Sequence, residues 1–173
     1  RMSVPPMPTP TPMVGFRPMA IFSSRAEYGV RLMIELGRQT EDKPVSLKAI
    51  AEAENLPLAY LEQVVALLKK AGLVNSARGA HGGYWLSRPA GEITMDTVVQ
   101  ALDGAVAPME CFAPSDRDDR ILCSHMADDG HGCGTKLLWT RVQGGVINSL
   151  KGTTLAELVE FTHRNARESR IAA

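Results

Sequence analysis

Residues 46–72 constrain this chain most. Asn55-Leu56-Pro57 interrupts two amphipathic runs, and so abrupt a break is a tight turn. Before it, Ser46 caps a helix expected over Leu47–Glu54, with Ile50 and Ala51 facing inward. After it, Leu58–Ala71 places Leu61, Val64, Val65 and Leu68 on one face, the spacing of a buried helical stripe. Pro57 suits a helix's first position, where its φ is pre-set. Gly72 stands where a left-handed C-cap is needed. Two helices joined by so short a turn form a helix-turn-helix.

The flanks extend this unit. Upstream, a helix is expected from Ser24 to Gln39, with Ser24 and Glu27 spaced as a capping box and Val30, Met33, Ile34 and Gly37 as its buried face. Glu41-Asp42-Lys43-Pro44 ends it. Downstream, two short β-prone runs flank the Gly-rich turn Arg78-Gly-Ala-His-Gly-Gly83, which reads as a hairpin. The fold class is therefore mainly α with a small β-hairpin wing: a winged helix-turn-helix. A fourth helix follows over Glu92–Asp103, capped by Thr94 with Asp96 in its first turn. A long helix over Thr135–Leu150 carries Leu138, Val142, Val146 and Leu150 on one stripe. That stripe has no partner within a small winged helix, so it is expected to be a dimer seam. Gly144-Gly145 within it fit close helix–helix approach. Thr154 and Glu157 cap a last short helix, followed by a polar tail from Asn165.

The segment Met109–Thr135 holds all three cysteines, Cys111, Cys123 and Cys133, and two of the four histidines, His125 and His131. The rest is mostly Asp, Gly, Ser and Pro. A polar loop this long inside a compact chain is usually functional or disordered, and soft ligands in it suggest ordering by a metal or cluster. Thiolates suit iron–sulfur iron and zinc alike. Cys123-x-His125 and His131-x-Cys133 could complete a zinc site with Cys111. The alternative is three unrelated thiols in a disordered loop.

The helix after the turn is expected to enter a major groove, presenting Ala59, Tyr60, Glu62 and Gln63 to bases. Glu can accept from a cytosine amino group and Gln can read adenine. Lys69 and Lys70 could meet phosphate, and Arg78 with His81 at the wing tip suits backbone or minor-groove contact. Nineteen basic and nineteen acidic side chains give zero net charge, which leaves DNA binding to local charge on the docking face. A DNA-free interaction module is the competing reading of that balance. A Cys123–His125 nucleophile pair lacks an orienting third group, so an enzyme is not expected. No apolar run approaches the roughly 18 residues of a membrane span. With no signal peptide, the chain reads as cytoplasmic.

These residues resemble a bacterial family, the iron–sulfur-dependent winged-helix repressors that include IscR, NsrR and RirA. The resemblance is carried by Arg25-Ala-Glu-Tyr-Gly-Val-Arg31, by Tyr60-Leu-Glu-Gln63, by Ile93-Thr94 and by the three late cysteines. Its most specific part is Lys70-Ala-Gly-Leu-Val-x-Ser-x-Arg-Gly-x-x-Gly-Gly-Tyr84. It spans about Ile21 to Phe161. It implies a homodimer on a pseudo-palindromic operator in double-stranded DNA, with Tyr60, Glu62, Gln63 and Arg78 touching DNA. It implies that Cys111, Cys123 and Cys133 bind a [2Fe-2S] or [4Fe-4S] cluster and that the output is control of cluster assembly, iron supply or stress genes. Two departures stand out. The Cys spacings are wider than the family's usual ones. Lys136 stands where the IscR-type pattern has a His, and an ammonium donates rather than accepts. Some relatives use an acidic residue of the first helix, from the partner chain. Glu27 falls on that position, with His131 and His125 as local rivals. The alternative to a cluster is a zinc or thiol-redox loop.

The expected division is a disordered leader or start-site artefact over 1–18 and a winged-helix DNA-binding domain over 19–106. A Cys-containing cluster-binding loop over 107–134 follows, then a dimerisation helix and short C-terminal helix over 135–164 and a flexible tail over 165–173.

Overall fold

The computed structural model describes residues 20–39, 43–79, 82–108 and 134–171, with residues 165–171 described by backbone alone. Three helices come first: α1 (Ser24–Gly37), α2 (Leu47–Glu54) and α3 (Leu58–Lys70). An antiparallel hairpin, β1 (Val74–Ala77) and β2 (Gly83–Leu86), forms the wing. A 3-10 turn over Ala90–Glu92 leads into α4 (Met95–Asp103), and α5 (Gly134–Gly152) and α6 (Leu155–Ile171) complete the chain.

The helix-turn-helix forms as its residues dictate. Ser46 caps α2 through its hydroxyl, which accepts the Ala49 N–H at 3.1 Å. Asn55 ends α2 in the left-handed region at φ 51°, a conformation its short polar side chain tolerates. Pro57 is the N-cap of α3 rather than its first helical residue. Leu61, Val64, Val65 and Leu68 are all buried. Gly72 takes φ 71°, closing α3 and turning the chain into β1.

The hairpin pairs Val74 with Leu86 and Ala77 with Gly83. Val45, just ahead of α2, adds a one-residue third strand: Val45 and Tyr84 exchange two backbone hydrogen bonds of 2.9 Å. A Cβ on Gly83 would lie 2.6 Å from the Val45 carbonyl oxygen, so this approach requires glycine.

α1 departs from its expected face. Leu32, Met33 and Leu36 form its buried centre, while Val30, Ile34 and Gly37 are half-buried at its edges. The rotation follows from its neighbours. α4 presses against Gly29, whose added Cβ would meet the Leu102 side chain, and α6 sends Val159 against Gly37. Its cap also shifts by one residue. Ser23 is the N-cap, accepting the N–H groups of Arg25 and Ala26 at 3.1 and 3.3 Å. Glu27 is therefore past the capping-box position.

α4 begins at Met95, later than expected, because Ile93 and Thr94 are drawn into backbone pairing with the α5–α6 junction. The Ile93 carbonyl accepts the Leu155 N–H at 2.8 Å and the Thr153 carbonyl accepts the Met95 N–H at 2.9 Å. Leu155 is fully buried among the winged-helix residues. At Thr154 the expected capping box forms: Glu157 accepts the Thr154 N–H and returns its own N–H to the Thr154 hydroxyl. α6 then runs to Ile171, through the stretch expected as a polar tail. Ala, Arg and Glu there are good helix formers, and a charged sequence continues a helix once its first turns are anchored. α5 buries no residue fully; Leu137, Leu138 and Val142 are 58%, 54% and 39% exposed.

Candidate nucleic-acid interface

α3 turns one face to the core and leaves Ala59, Glu62, Gln63, Lys69 and Lys70 exposed. No side chain caps its N-terminus, where Pro57 supplies only its carbonyl, to Tyr60 and Leu61. The first N–H groups of a helix, left without a side-chain acceptor, favour an anion such as phosphate. Of the four residues expected to face bases, Tyr60 differs. It is half-buried, with its ring edge-on to that of Tyr28 of α1, centroids 5.4 Å apart and planes 82° apart. Tyr60 thus braces α3 while its outer edge stays accessible.

Lys69 also does more than expected. Its ammonium donates to the Ser76 hydroxyl of β1 at 2.6 Å, tying the end of the recognition helix to the wing. The Ser87 hydroxyl donates to the Gly72 carbonyl at 2.6 Å and clamps the wing's return strand to the same junction. These two bonds tie the wing to the end of α3. Arg78, at the tip of that wing, is exposed, as is Lys70. The chain's charge balance is thus locally broken: Lys69, Lys70 and Arg78 gather cations on α3's end and the wing. His81 lies outside the described residues.

A polar network backs the helix-turn-helix from behind. Arg31 of α1 donates to the Glu54 carboxylate at 2.7 Å and to the Glu54 carbonyl at 3.3 Å. Glu35 lies between Glu54 and Arg38, with which it is paired. Burial pushes the Glu35 carboxyl up, Arg38 pulls it back, and the neighbouring Glu54 adds to the rise.

The residues expected to hold a metal or cluster are Cys111, Cys123, Cys133 and Glu27, with His125 and His131 as rivals. Cys111, Cys123, Cys133, His125 and His131 lie outside the described residues. Among the described residues no group of three or more His, Cys, Asp and Glu converges. Glu27 is exposed in the first turn of α1. The carboxylate that completes the cap is Asp103, at the end of α4. It accepts the Ser23 N–H at 2.8 Å and the Ser23 hydroxyl, and lies 3.6 Å from the Arg25 guanidinium. Local spacing carries no trace of this contact, because its partners are 80 positions apart. As in a capping box, a carboxylate accepts the N-cap N–H, but here it comes from another helix, leaving the Glu27 carboxylate free of described partners. Just beyond Asp103, the Val106 carbonyl accepts the Gln143 amide of α5 at 2.7 Å.

A buttressed recognition helix, a hairpin wing tied to its end and a long exposed helix define a winged-helix DNA-binding protein. The family model described as "Rrf2: Iron-dependent Transcriptional regulator" matches residues 22–161. The chain belongs to the Rrf2 family: it is a DNA-binding transcription regulator and not an enzyme. It is 36% identical over 140 residues to the HTH-type transcriptional regulator CymR of Bacillus subtilis, covering 81% of this chain and 90% of that one. The oxidized form of Staphylococcus aureus CymR superposes with a TM-score of 0.62 at 37% identity, covering 82% of this chain and 97% of that one. T. potens IscR superposes with a TM-score of 0.64 at 32% identity, covering 86% and 89%. No described helix is long and apolar enough to cross a membrane.

Proposed function

We propose that this regulator binds a pseudo-palindromic operator with α3 and the wing of each protomer, and that thiol chemistry at Cys111, Cys123 and Cys133 sets its affinity. The observation that carries the first half is the Lys69–Ser76 bond, which ties the end of the recognition helix to the wing and sets the two side by side. Glu62 and Gln63, with Ala59 and the outer edge of Tyr60, meet bases. Lys70 and Arg78 meet phosphate or the minor groove, and His81 is assigned to the same contact. In domain terms, residues 19–106 read DNA, 107–134 sense, and 135–164 pair the protomers. Leu155 fastens the last of these to the first.

For the sensing half, the likeness to CymR, one structure of which is described as an oxidized form, favours a zinc or thiol-redox segment. Three thiolates with His125 and His131 are a sufficient donor set for zinc. A second reading is favoured by the family description as iron-dependent and by the likeness to IscR. Three thiolates also suit a [2Fe-2S] or [4Fe-4S] cluster, which would supply a redox-labile centre. The fourth ligand would then be Glu27 of the partner protomer, and its exposed carboxylate, relieved of capping by Asp103, fits that role. A Glu27→Ala variant that keeps the cluster spectrum and its stability would exclude this assignment.

The experiment is an anaerobic UV–visible spectrum with iron, sulfide and zinc analysis on one sample, followed by operator titration. Brown protein with iron and sulfide, bleached by Cys→Ala at positions 111, 123 and 133, establishes the cluster. Colourless protein with about one zinc per chain, or with a diamide-sensitive disulfide, establishes the thiol reading. Equal operator affinity in all states overturns sensing altogether.

A further inference from the structure

The stretch from Asp103 to Val106 leads directly into the cysteine segment, with Cys111 eight positions beyond Asp103. It is held at two points. Asp103 grips the start of α1 through the Ser23 N–H at 2.8 Å and the Ser23 hydroxyl, and Val106 is bound by Gln143 of α5 at 2.7 Å. The root of the sensor is thus strung between the winged helix and the exposed helix of the dimer seam.

α1 is poised to feel displacement of that root. The Ser23 hydroxyl donates to Asp103 and, with its lone pairs, accepts the N–H groups of Arg25 and Ala26. Moving Asp103 therefore disturbs both the cap and its support. Arg25 shares the Asp103 carboxylate at 3.6 Å, and its Nε is buried without a hydrogen-bond partner among the described residues, so displacing Asp103 would take away the acid that faces this side chain. One position before Asp103, Leu102 lies against the bare backbone of Gly29, and an added Cβ at Gly29 would also meet Val64 of α3 at 3.4 Å. One position before Gly29, Tyr28 holds Tyr60 of α3. A packed interior transmits such a shift because it has few voids to absorb it.

We propose that Asp103 is the positioning residue through which the chemical state of the cysteine segment reaches the recognition helix. The proposal rests on the sensing reading above. Asp103 touches neither DNA nor any ligand; it acts by holding α1, and α1 holds α3.

The test uses the full chain and a duplex selected by the wild-type protein from random-sequence DNA. Affinity is measured by fluorescence anisotropy in two states: reduced and metal-replete, and stripped with EDTA then oxidised with diamide. Wild type is expected to differ by about tenfold or more between states. Asp103→Asn keeps the shape but loses the charge and one acceptor, and its ratio is expected to fall below about threefold. Ser46→Ala removes a comparable cap from α2, away from the segment, and is expected to keep the wild-type ratio; a merely structural cap would move both variants alike. Retention of the wild-type ratio by Asp103→Asn overturns the proposal. If that variant does not fold, Ser23→Ala is read by the same criteria. A wild type that binds equally in both states fails the sensing reading itself, and this proposal with it. The flat wild-type arm distinguishes that failure from a failure of Asp103 alone.

Discussion

Tyr28 and Tyr60 meet edge to face, with ring centroids 5.4 Å apart, and this contact joins the first helix to the recognition helix. The position of α3 therefore depends in part on a residue outside the helix-turn-helix. Tyr28→Ala is expected to cost about 0.5–1.5 kcal/mol for the aromatic pair beyond the area it buries. Operator affinity should fall with it. Glu62→Gln, on the exposed face, should leave the melting temperature within about 2 °C. Thermal melts paired with anisotropy titrations check both.

Arg78 and Gln63 should separate by their salt behaviour. Arg78→Ala is expected to weaken binding to all sequences and to lower the slope of log affinity against log salt by about 1. Gln63→Ala should keep that slope and relax base preference at one position of each half-site, by about 1–3 kcal/mol. Titrations across salt, on the selected duplex and its single-base variants, decide it.

Two leucines near the C-terminus should behave oppositely. Leu155 is fully buried, so Leu155→Ala is expected to destabilise the fold by about 2–5 kcal/mol. Leu138 is 54% exposed within the protomer, so Leu138→Ala should spare protomer folding and weaken the dimer. Chemical denaturation reads the first and sedimentation across concentration the second.

Glycine replacements distinguish wing from dimer helix. Gly83→Ala drives a Cβ onto the Val45 backbone and should loosen the wing, lowering stability and operator affinity together. A Cβ on Gly144 or Gly145 meets nothing within 4 Å among the described residues. Alanine there should stabilise α5 by about 1 kcal/mol each. A loss of dimer affinity on the same change would place these glycines at the seam; hydrogen exchange and sedimentation report the two effects.

Glu35 predicts a pH dependence. Its carboxyl titrates above the ordinary value of 4.5, first because it is buried, with Arg38 opposing the rise and Glu54 adding to it. The folded state then holds the proton more tightly than the unfolded one. Its contribution is fully present below the unfolded value and is lost as pH rises through the raised one. Glu35→Gln stays neutral and can donate to Glu54. It should be more stable than wild type near neutral pH and should lose less stability between about pH 4 and pH 7. Urea titrations at those two pH values check the sign.

How far the sequence reaches is clearest in the helix-turn-helix. Its stripe of Leu61, Val64, Val65 and Leu68 is buried as the spacing implies, and Gly72 has the positive φ its place demanded. The hairpin is equally readable, since its turn and strands are neighbours in the chain. The DNA-facing residues are less so. Tyr60 reads as exposed from α3 alone, and only the presence of Tyr28 half-buries it. Lys69 reads as a free cation until Ser76 is placed beside it.

The sequence by itself determined the helix-turn-helix, the wing and the family, because helical period, caps and turn residues act over a few neighbouring positions. Tertiary structure decided which acid caps α1, which tyrosine edge is free and where Leu155 is buried. Ser23 and Asp103 are 80 residues apart, and no local pattern records a partner that only packing delivers. Their contact leaves Glu27 without a partner among the described residues and joins the end of α4 to the helix that braces α3.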